Sequence, residues 1–252
     1  MTNNRHSSLL RGDCLPPAIP LWARFLESAL RRVDNSGMGF LQFSQPPTIT
    51  ADNALPGRSV PVLPNPAPHT VLGTPIDGPV PDGMEEAFLA LGCYWGAEKI
   101  FWELGAYTTS VGFMGGFTEN PTYMEVCTGM TGHTETVRVV FDPNKISYGE
   151  ILQAFFESHD PTTLNRQGND RGTQYRSAIF ASTDEQYETA LRTRELDQEV
   201  LDGAGRDTIV TEVNKPGQTY FLAEDEHQQY LDKNPFGYNC HARTGLACPV
   251  AR

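Results

Sequence analysis

One stretch, residues 87–105, limits the architecture of this chain more than any other. Residues 87–91 form a short apolar run suited to a buried strand, and Gly92 ends it. Ala97, Ile100, Phe101 and Leu104 then recur at i, i+3, i+4 and i+7, the stripe of an amphipathic helix, and Gly105 supplies a stop. The local order is strand, tight turn, helix, so a helix has to be laid against a sheet.

The chain downstream keeps switching between the two periods. Residues 108–114 read as the next strand, closed by Gly115 and Gly116, and residues 134–141 alternate so that Val137, Val139 and Phe141 share a face. Asp142-Pro143-Asn144 makes a turn. Ser147 with Glu150 matches a capping box, and Ile151, Leu152, Phe155 and Phe156 give the helix after it a buried stripe. Residues 177–181 return as a strand, Thr183 with Gln186 starts a helix to about residue 200, and residues 208–213 read as a further strand. A short helix near residues 224–231 precedes a tail containing Gly and Pro. This order predicts an α+β fold: a two-layer ferredoxin-like α/β sandwich with an extra strand and helix, an extended N-terminal arm and an irregular Cys-containing C-terminal tail.

Upstream the texture differs. Ten of the nineteen prolines lie between Pro46 and Pro81, with no sustained helix or strand period. Residues 38–83 are therefore read as a Pro-rich arm wrapping or leading into a core domain at 84–252. Residues 1–37 are read as a disordered extension, with two alternatives: a targeting segment bearing Arg5, Arg11, Arg24, Arg31 and Arg32, or the product of a gene start placed ahead of Met38. Residues 21–30 could form a short helix, closely bounded by Pro16, Pro17 and Pro20.

A formal charge of −12 argues against a general nucleic-acid binder, which needs Lys and Arg to displace counterions from phosphate. No apolar run approaches the ~20 residues needed to span a bilayer. The expectation is a cytoplasmic protein, monomeric, without nucleic-acid or membrane partners. Cys14, Cys93, Cys127, Cys240 and Cys248 are too few and too scattered for a disulfide scaffold, so each has to be judged by its neighbours.

Cys93 lies where the first strand ends and the helix begins. Unpaired N–H groups and the positive end of the helix dipole would favour its thiolate, the flanking glycines would admit a substrate, and Tyr94 and Trp95 would offer an aromatic wall. Position alone leaves a second reading open, a small hydrophobe packed at a strand end.

The company of Cys93 is more specific. Gly92-Cys93-Tyr94-Trp95-Gly96 is followed by Gly115-Gly116-Phe117, Asn120-Pro121-Thr122-Tyr123 and Gly132-His133-Thr134-Glu135. Next come His159-Asp160-Pro161-Thr162, the run from Arg166 to Asp170, the run from Gly172 to Ser177, and the run from Ala223 to Tyr230. In this order, and with Ala54-Leu55-Pro56-Gly57-Arg58 upstream, the motifs resemble the A-type peptide methionine sulfoxide reductases from about residue 54 to the C-terminus. The family signature carries Phe where this chain has Tyr94.

The resemblance implies an enzyme that reduces the S-epimer of methionine sulfoxide, free or in proteins, and so repairs oxidised proteins. Cys93 would be the nucleophile, and Glu135 the acid that protonates the departing oxygen, its pKa raised by desolvation. Tyr123 and Tyr175 would stabilise that oxygen, Asp170 would hold a water or the substrate backbone, and Tyr230 would line the site. Trp95 and Tyr94 would enclose the substrate methyl group and select one sulfur configuration. By residue type alone, Glu135 reads as a solvated strand residue and Asp170 equally as a structural hydrogen-bonder, while His133 and His159 read as satisfied structural histidines.

Regeneration is implied to run through the tail: Cys240 resolves the sulfenic acid on Cys93, and Cys248 then presents a disulfide near the surface to thioredoxin. No cofactor is needed. Cys240, His241 and Cys248 lack the paired spacing of a structural zinc site. Cys127 is read as a packing residue and Cys14 as uninvolved. Two competing readings stay in view, another thiol-dependent reductase of peroxides or disulfides, and a binder of oxidised methionine that does not turn it over.

Overall fold

The computed structural model describes residues 48–239 and 243–250, and the extension, the 21–30 segment, Cys14, Cys240 and His241 lie outside them. Its centre is a sheet whose strands are β1 (Glu85–Leu91), β2 (Thr108–Met114), β3 (Thr134–Phe141), β6 (Ser177–Phe180), β7 (Glu212–Asn214) and β8 (Phe221–Leu222), arranged β7-β6-β1-β3-β2-β8. A separate hairpin pairs β4 (Arg166–Gln167) with β5 (Asp170–Arg171). The helices are α1 (Tyr94–Leu104), α2 (Tyr123–Cys127), α3 (Tyr148–Glu157), α4 (Asp184–Gly203) and α5 (Tyr230–Lys233).

The inner four strands, β6-β1-β3-β2, carry the antiparallel order of a ferredoxin-like sandwich, reached through α1 and α3. The extra helix α4 connects β6 to β7, which is parallel to it and so needs a crossover. Beyond the expected plan, β8 pairs antiparallel with the far edge of β2.

Both faces of the sheet are covered, which is why β2 and β3 are buried along their whole length. On one face Leu89, Leu91, Val111, Phe113, Val137, Val139 and Phe141 pack with Ala97 and Phe101 of α1 and with Ile151, Leu152, Phe155 and Phe156 of α3. On the other, Arg138 donates to the carbonyls of Ile76 and Gly78 in the arm and to Glu86.

Local signals explain most element ends. Gly105 takes φ 105°, closed to a side chain without strain, and stops α1, with its N–H and that of Ala106 donating to Trp102 and Phe101 carbonyls. The Ser147/Glu150 capping box is formed in both directions. A second box, Thr122 with Glu125, opens α2, which the periodicity does not reveal because it is one turn long.

Two elements differ from expectation. The strand expected at 208–213 is only Glu212–Asn214, because the N–H groups of Ile209 and Val210 donate to the Gln198 side chain and the Pro161 carbonyl instead of a neighbouring strand. The helix expected at 224–231 is split into a 3-10 turn, Asp225–His227, and α5, because Gln229 adopts a left-handed conformation between them.

Candidate active site

The turn from β1 into α1 places Cys93 at the N-cap of that helix, 5% exposed. Gly92 before it has φ 97°, and a Cβ there would lie 2.7 Å from the Gln167 side chain, so turn geometry and close packing both exclude a larger residue. Leu89 pairs with Val137. The same register carried two residues further brings Glu135, the second residue of β3, to the mouth of this turn.

There Glu135 accepts the N–H of Tyr94 at 3.0 Å. The carboxyl is 2% exposed, and burial, reinforced by the charge of Asp170, pushes it up to about 8 despite that hydrogen bond. At neutral pH it carries a proton, unlike the solvated strand residue that its type alone allows.

Cys93 departs from the sequence expectation. The N–H groups of Trp95 and Gly96 favour the thiolate without forming a cap hydrogen bond to its sulfur, but burial and the nearby Glu135 oppose them more strongly, so the thiol is pushed well above its ordinary range. In this state Cys93 is a thiol.

Around the pair stands a set of rings. Trp95 stacks on Tyr230 with centroids 3.8 Å apart and on Tyr123 at 6.4 Å, and Tyr123 lies 4.3 Å from His227. Tyr94 backs this wall at 1% exposure, packed against Phe113 and Tyr123, and its hydroxyl has no partner among the described residues. Both Tyr123 and Tyr175 are half-buried phenols raised by desolvation and by the charge of Glu135. The Tyr123 hydroxyl also interacts with the Cys127 thiol one helical turn away, so Cys127 adjoins the site rather than simply filling the core.

Asp170 accepts the hydroxyl of Tyr238 at 2.9 Å through one oxygen and leaves the other buried without a partner among the described residues. His133 and His159 are tied elsewhere, the first to Gly116 N–H and Thr118 O, the second to Phe155 O and Ser177 Oγ.

Thus Cys93, Tyr94, Trp95, Tyr123, Glu135, Asp170, Tyr175 and Tyr230 converge. Cys248 does not join them. It is 4% exposed rather than presented at the surface: its N–H donates to Glu157, its thiol donates to the Pro249 carbonyl, and burial with the nearby Asp197 and Glu157 carboxylates pushes the thiol up. Cys240 lies outside the described residues. Three contributors were not singled out from the sequence: His227, which accepts the Trp95 indole N–H at 3.2 Å, Glu224, which accepts the Tyr123 N–H at 3.0 Å, and Tyr238. Glu224 and His227 lie in the legible run from Ala223 to Tyr230 and Tyr238 lies in the tail, but residue type alone gives them no role.

A buried acid beside a thiol, backed by stacked rings, suits attack on a small polarised group next to an apolar substituent. Known proteins give this geometry a context. The profile of the family described as peptide methionine sulfoxide reductase matches residues 85–248. The peptide methionine sulfoxide reductase MsrA of Corynebacterium kroppenstedtii is 54% identical over 219 residues, spanning 84% of this chain and 100% of its own length. MsrA 1 of a Synechocystis strain is 50% identical over 216 residues, spanning 84% of this chain and 96% of its own. Among solved structures, methionine sulfoxide reductase A of Corynebacterium diphtheriae superposes with a TM-score of 0.72 at 49% identity, covering 82% of this chain and 100% of that one. Mxr1 of Saccharomyces cerevisiae in reduced form gives 0.59 at 35% identity, covering 67% and 95%.

Proposed function

The chain belongs to the peptide methionine sulfoxide reductase family, and from that premise we propose that Cys93 and Glu135 carry the reduction of the S-epimer of methionine sulfoxide. The observation that carries this reading is the carboxyl of Glu135, held by the Tyr94 N–H one residue from the thiol and kept protonated at neutral pH by burial.

In the first step Cys93 Sγ bonds to the sulfoxide sulfur while the Glu135 proton passes to the sulfoxide oxygen, and the thiol proton of Cys93 replaces it on Glu135. Transfer of that hydroxyl to Cys93 breaks the substrate S–O bond together with the Sγ–sulfur bond just formed. The substrate sulfur is reduced by two electrons and leaves as methionine, and Cys93 is oxidised by two to the sulfenic acid. Tyr123 and Tyr175 donate to the oxygen as charge develops on it. Trp95, backed by Tyr94 and stacked on Tyr230, receives the methyl group, so the opposite epimer would force its oxygen against ring faces. Asp170 holds the polar side of the pocket.

The sulfenic acid then condenses with the Cys240 thiol, releasing water and forming the Cys93–Cys240 disulfide. Attack by Cys248 on Cys240 frees Cys93 as thiol and leaves Cys240–Cys248, which the dithiol of thioredoxin reduces. Free and protein-bound methionine sulfoxide are both substrates in this scheme.

The test is Cys93→Ser assayed with dithiothreitol on separate S and R epimers of a methionine sulfoxide peptide. Wild type is expected to consume S alone, and the variant to lose about a thousandfold or more in rate. Unchanged turnover in the variant removes Cys93 from the chemistry, and equal use of both epimers by wild type removes the methyl pocket.

A further inference from the structure

Five residues beyond Cys93 on the same helix, Glu98 holds a fully buried carboxyl that the reaction above does not use. It is saturated with donors. Thr109 Oγ1 donates to its Oε1 at 3.0 Å, Gln229 Nε2 donates to the same oxygen at 2.8 Å, and the Gln229 N–H donates to Oε2 at 2.8 Å. Behind Thr109 stands His69 of the arm, Nε2 to Oγ1 at 2.9 Å. Its Nδ1 accepts the N–H groups of Val71 and Leu72, which assigns the ring proton to Nε2 and makes it a donor to Thr109. A buried carboxyl is costly to keep, so the question is what its donors gain.

The recipient is Gln229, a non-glycine residue at φ 46° and ψ 44°. Such a conformation persists only where the surroundings impose it. Glu98 binds both its main chain and its side chain, and Thr70 of the arm donates to its Oε1 at 3.4 Å. The neighbouring Gln228 is pinned to β2, accepting the Val111 N–H and donating to the Val111 carbonyl. The bend at Gln229 therefore sets the direction in which α5 leaves, and its first residue is Tyr230, stacked on Trp95. His227, on the other side of the bend, accepts the Trp95 indole N–H. Trp95 and Glu98 are three apart on α1 and so lie on neighbouring rungs of one face. The helix grips residues 227–230 at two points, Glu98 at the bend and Trp95 at the rings.

We infer that Glu98 is a positioning residue for sulfoxide reduction: its carboxyl holds the left-handed turn at Gln229 that lays Tyr230 and His227 against Trp95 and so fixes the wall receiving the substrate methyl group. This rests on the reading in which Trp95 lines the substrate pocket. Glu98 touches no reacting atom, and its effect passes through Gln229.

The test uses the full chain, with kinetics on an S-epimer peptide under dithiothreitol and the indole N–H resonance of Trp95, assigned by its loss in Trp95→Phe. Glu98→Gln keeps the size but turns an acceptor into a donor facing Gln229. It is expected to raise KM about tenfold, leave kcat within about twofold, and shift the Trp95 indole resonance as its bond to His227 loosens. In a Tyr230→Ala background, where the wall is already lost, the same substitution is expected to add less than about twofold to KM. An unchanged KM with an unmoved resonance overturns the inference, and so does an equally large KM effect in the Tyr230→Ala background. Should Glu98→Gln not fold, Gln229→Ala removes the side-chain half of the clasp with Glu98 in place, and the same outcomes apply. A wild-type KM in Trp95→Ala would overturn the pocket reading and the inference with it, whereas a resonance shift in Glu98→Gln would still show the clasp itself.

Discussion

Cys93 and Cys248 are buried to nearly the same degree, 5% and 4% exposed, and both are held as thiols above their ordinary range, yet they differ in what surrounds the sulfur. Cys93 lies at the start of α1, where the Trp95 and Gly96 N–H groups favour its thiolate, and the carboxyl that opposes its ionisation, Glu135, is itself neutral up to about 8. Cys248 is surrounded by acceptors, Asp197 and the Pro249 carbonyl, and its N–H is spent on Glu157. Burial therefore does not distinguish the two thiols. In the proposed scheme a proton transfer within the pocket activates Cys93 where it stands, whereas Cys248 would have to leave its berth between α3 and α4 before exchanging with another sulfur.

The largest test of that contrast removes the acid. Glu135→Gln is expected to lower kcat by roughly 10²- to 10⁴-fold, the range for general acid catalysis. Wild-type kcat should be level below about 8 and fall about tenfold per pH unit above it as Glu135 loses its proton, and stopped assays across pH should show that limb vanish in the variant. The stability sign follows from the same shift. The folded value of Glu135 is raised from 4.5, so the contribution of its neutral form is complete below 4.5 and is lost as pH rises through about 8. Glu135→Gln should accordingly melt above wild type at pH ~9 and close to it at pH ~4. A variant that melts lower at both values would contradict the buried neutral acid.

Next in size, Cys248→Ser addresses the other thiol. Thioredoxin-driven turnover is expected to fall by about tenfold or more while dithiothreitol-driven turnover stays within about twofold, because a small reductant can reach Cys93 without the tail. Full thioredoxin-driven activity would take Cys248 out of the relay. The smallest effect belongs to Tyr94→Phe, which removes a buried hydroxyl lacking a partner among the described residues and should stabilise the fold by about 1 kcal/mol. A thermal melt reads that gain, with KM unchanged within about twofold, and a loss of stability would mean that the hydroxyl has a partner in solution.

Much of this is legible in the sequence. Residues 108–114 and 134–141 are strands with the expected ends, because β-branched and aromatic residues bounded by glycine and a proline turn leave little choice. The Ser147/Glu150 pair fixed the start of α3 by chemistry confined to four residues. The failures have long-range causes. Residues 209 and 210 look like strand but donate to α4 and to Pro161, and the helix of the 220s breaks at Gln229 because Glu98, more than a hundred residues earlier, imposes its conformation.

The site divides the same way. Cys93, Glu135, Trp95 and the tyrosines could be named because the motifs carrying them are local and ordered along the chain. Sequence by itself determined the alternation of strands and helices, the cap residues and the set of chemical groups, since each depends on neighbours a few positions apart. Only the tertiary structure decided protonation and register: that Glu135 is desolvated enough to stay neutral, that burial overrides the helix start at Cys93, that Cys248 is held by Asp197 and Glu157, and that Glu98 clasps Gln229. Those outcomes depend on how much water and how much charge remain around a group once distant segments have packed against it, and neither quantity exists until the chain has folded.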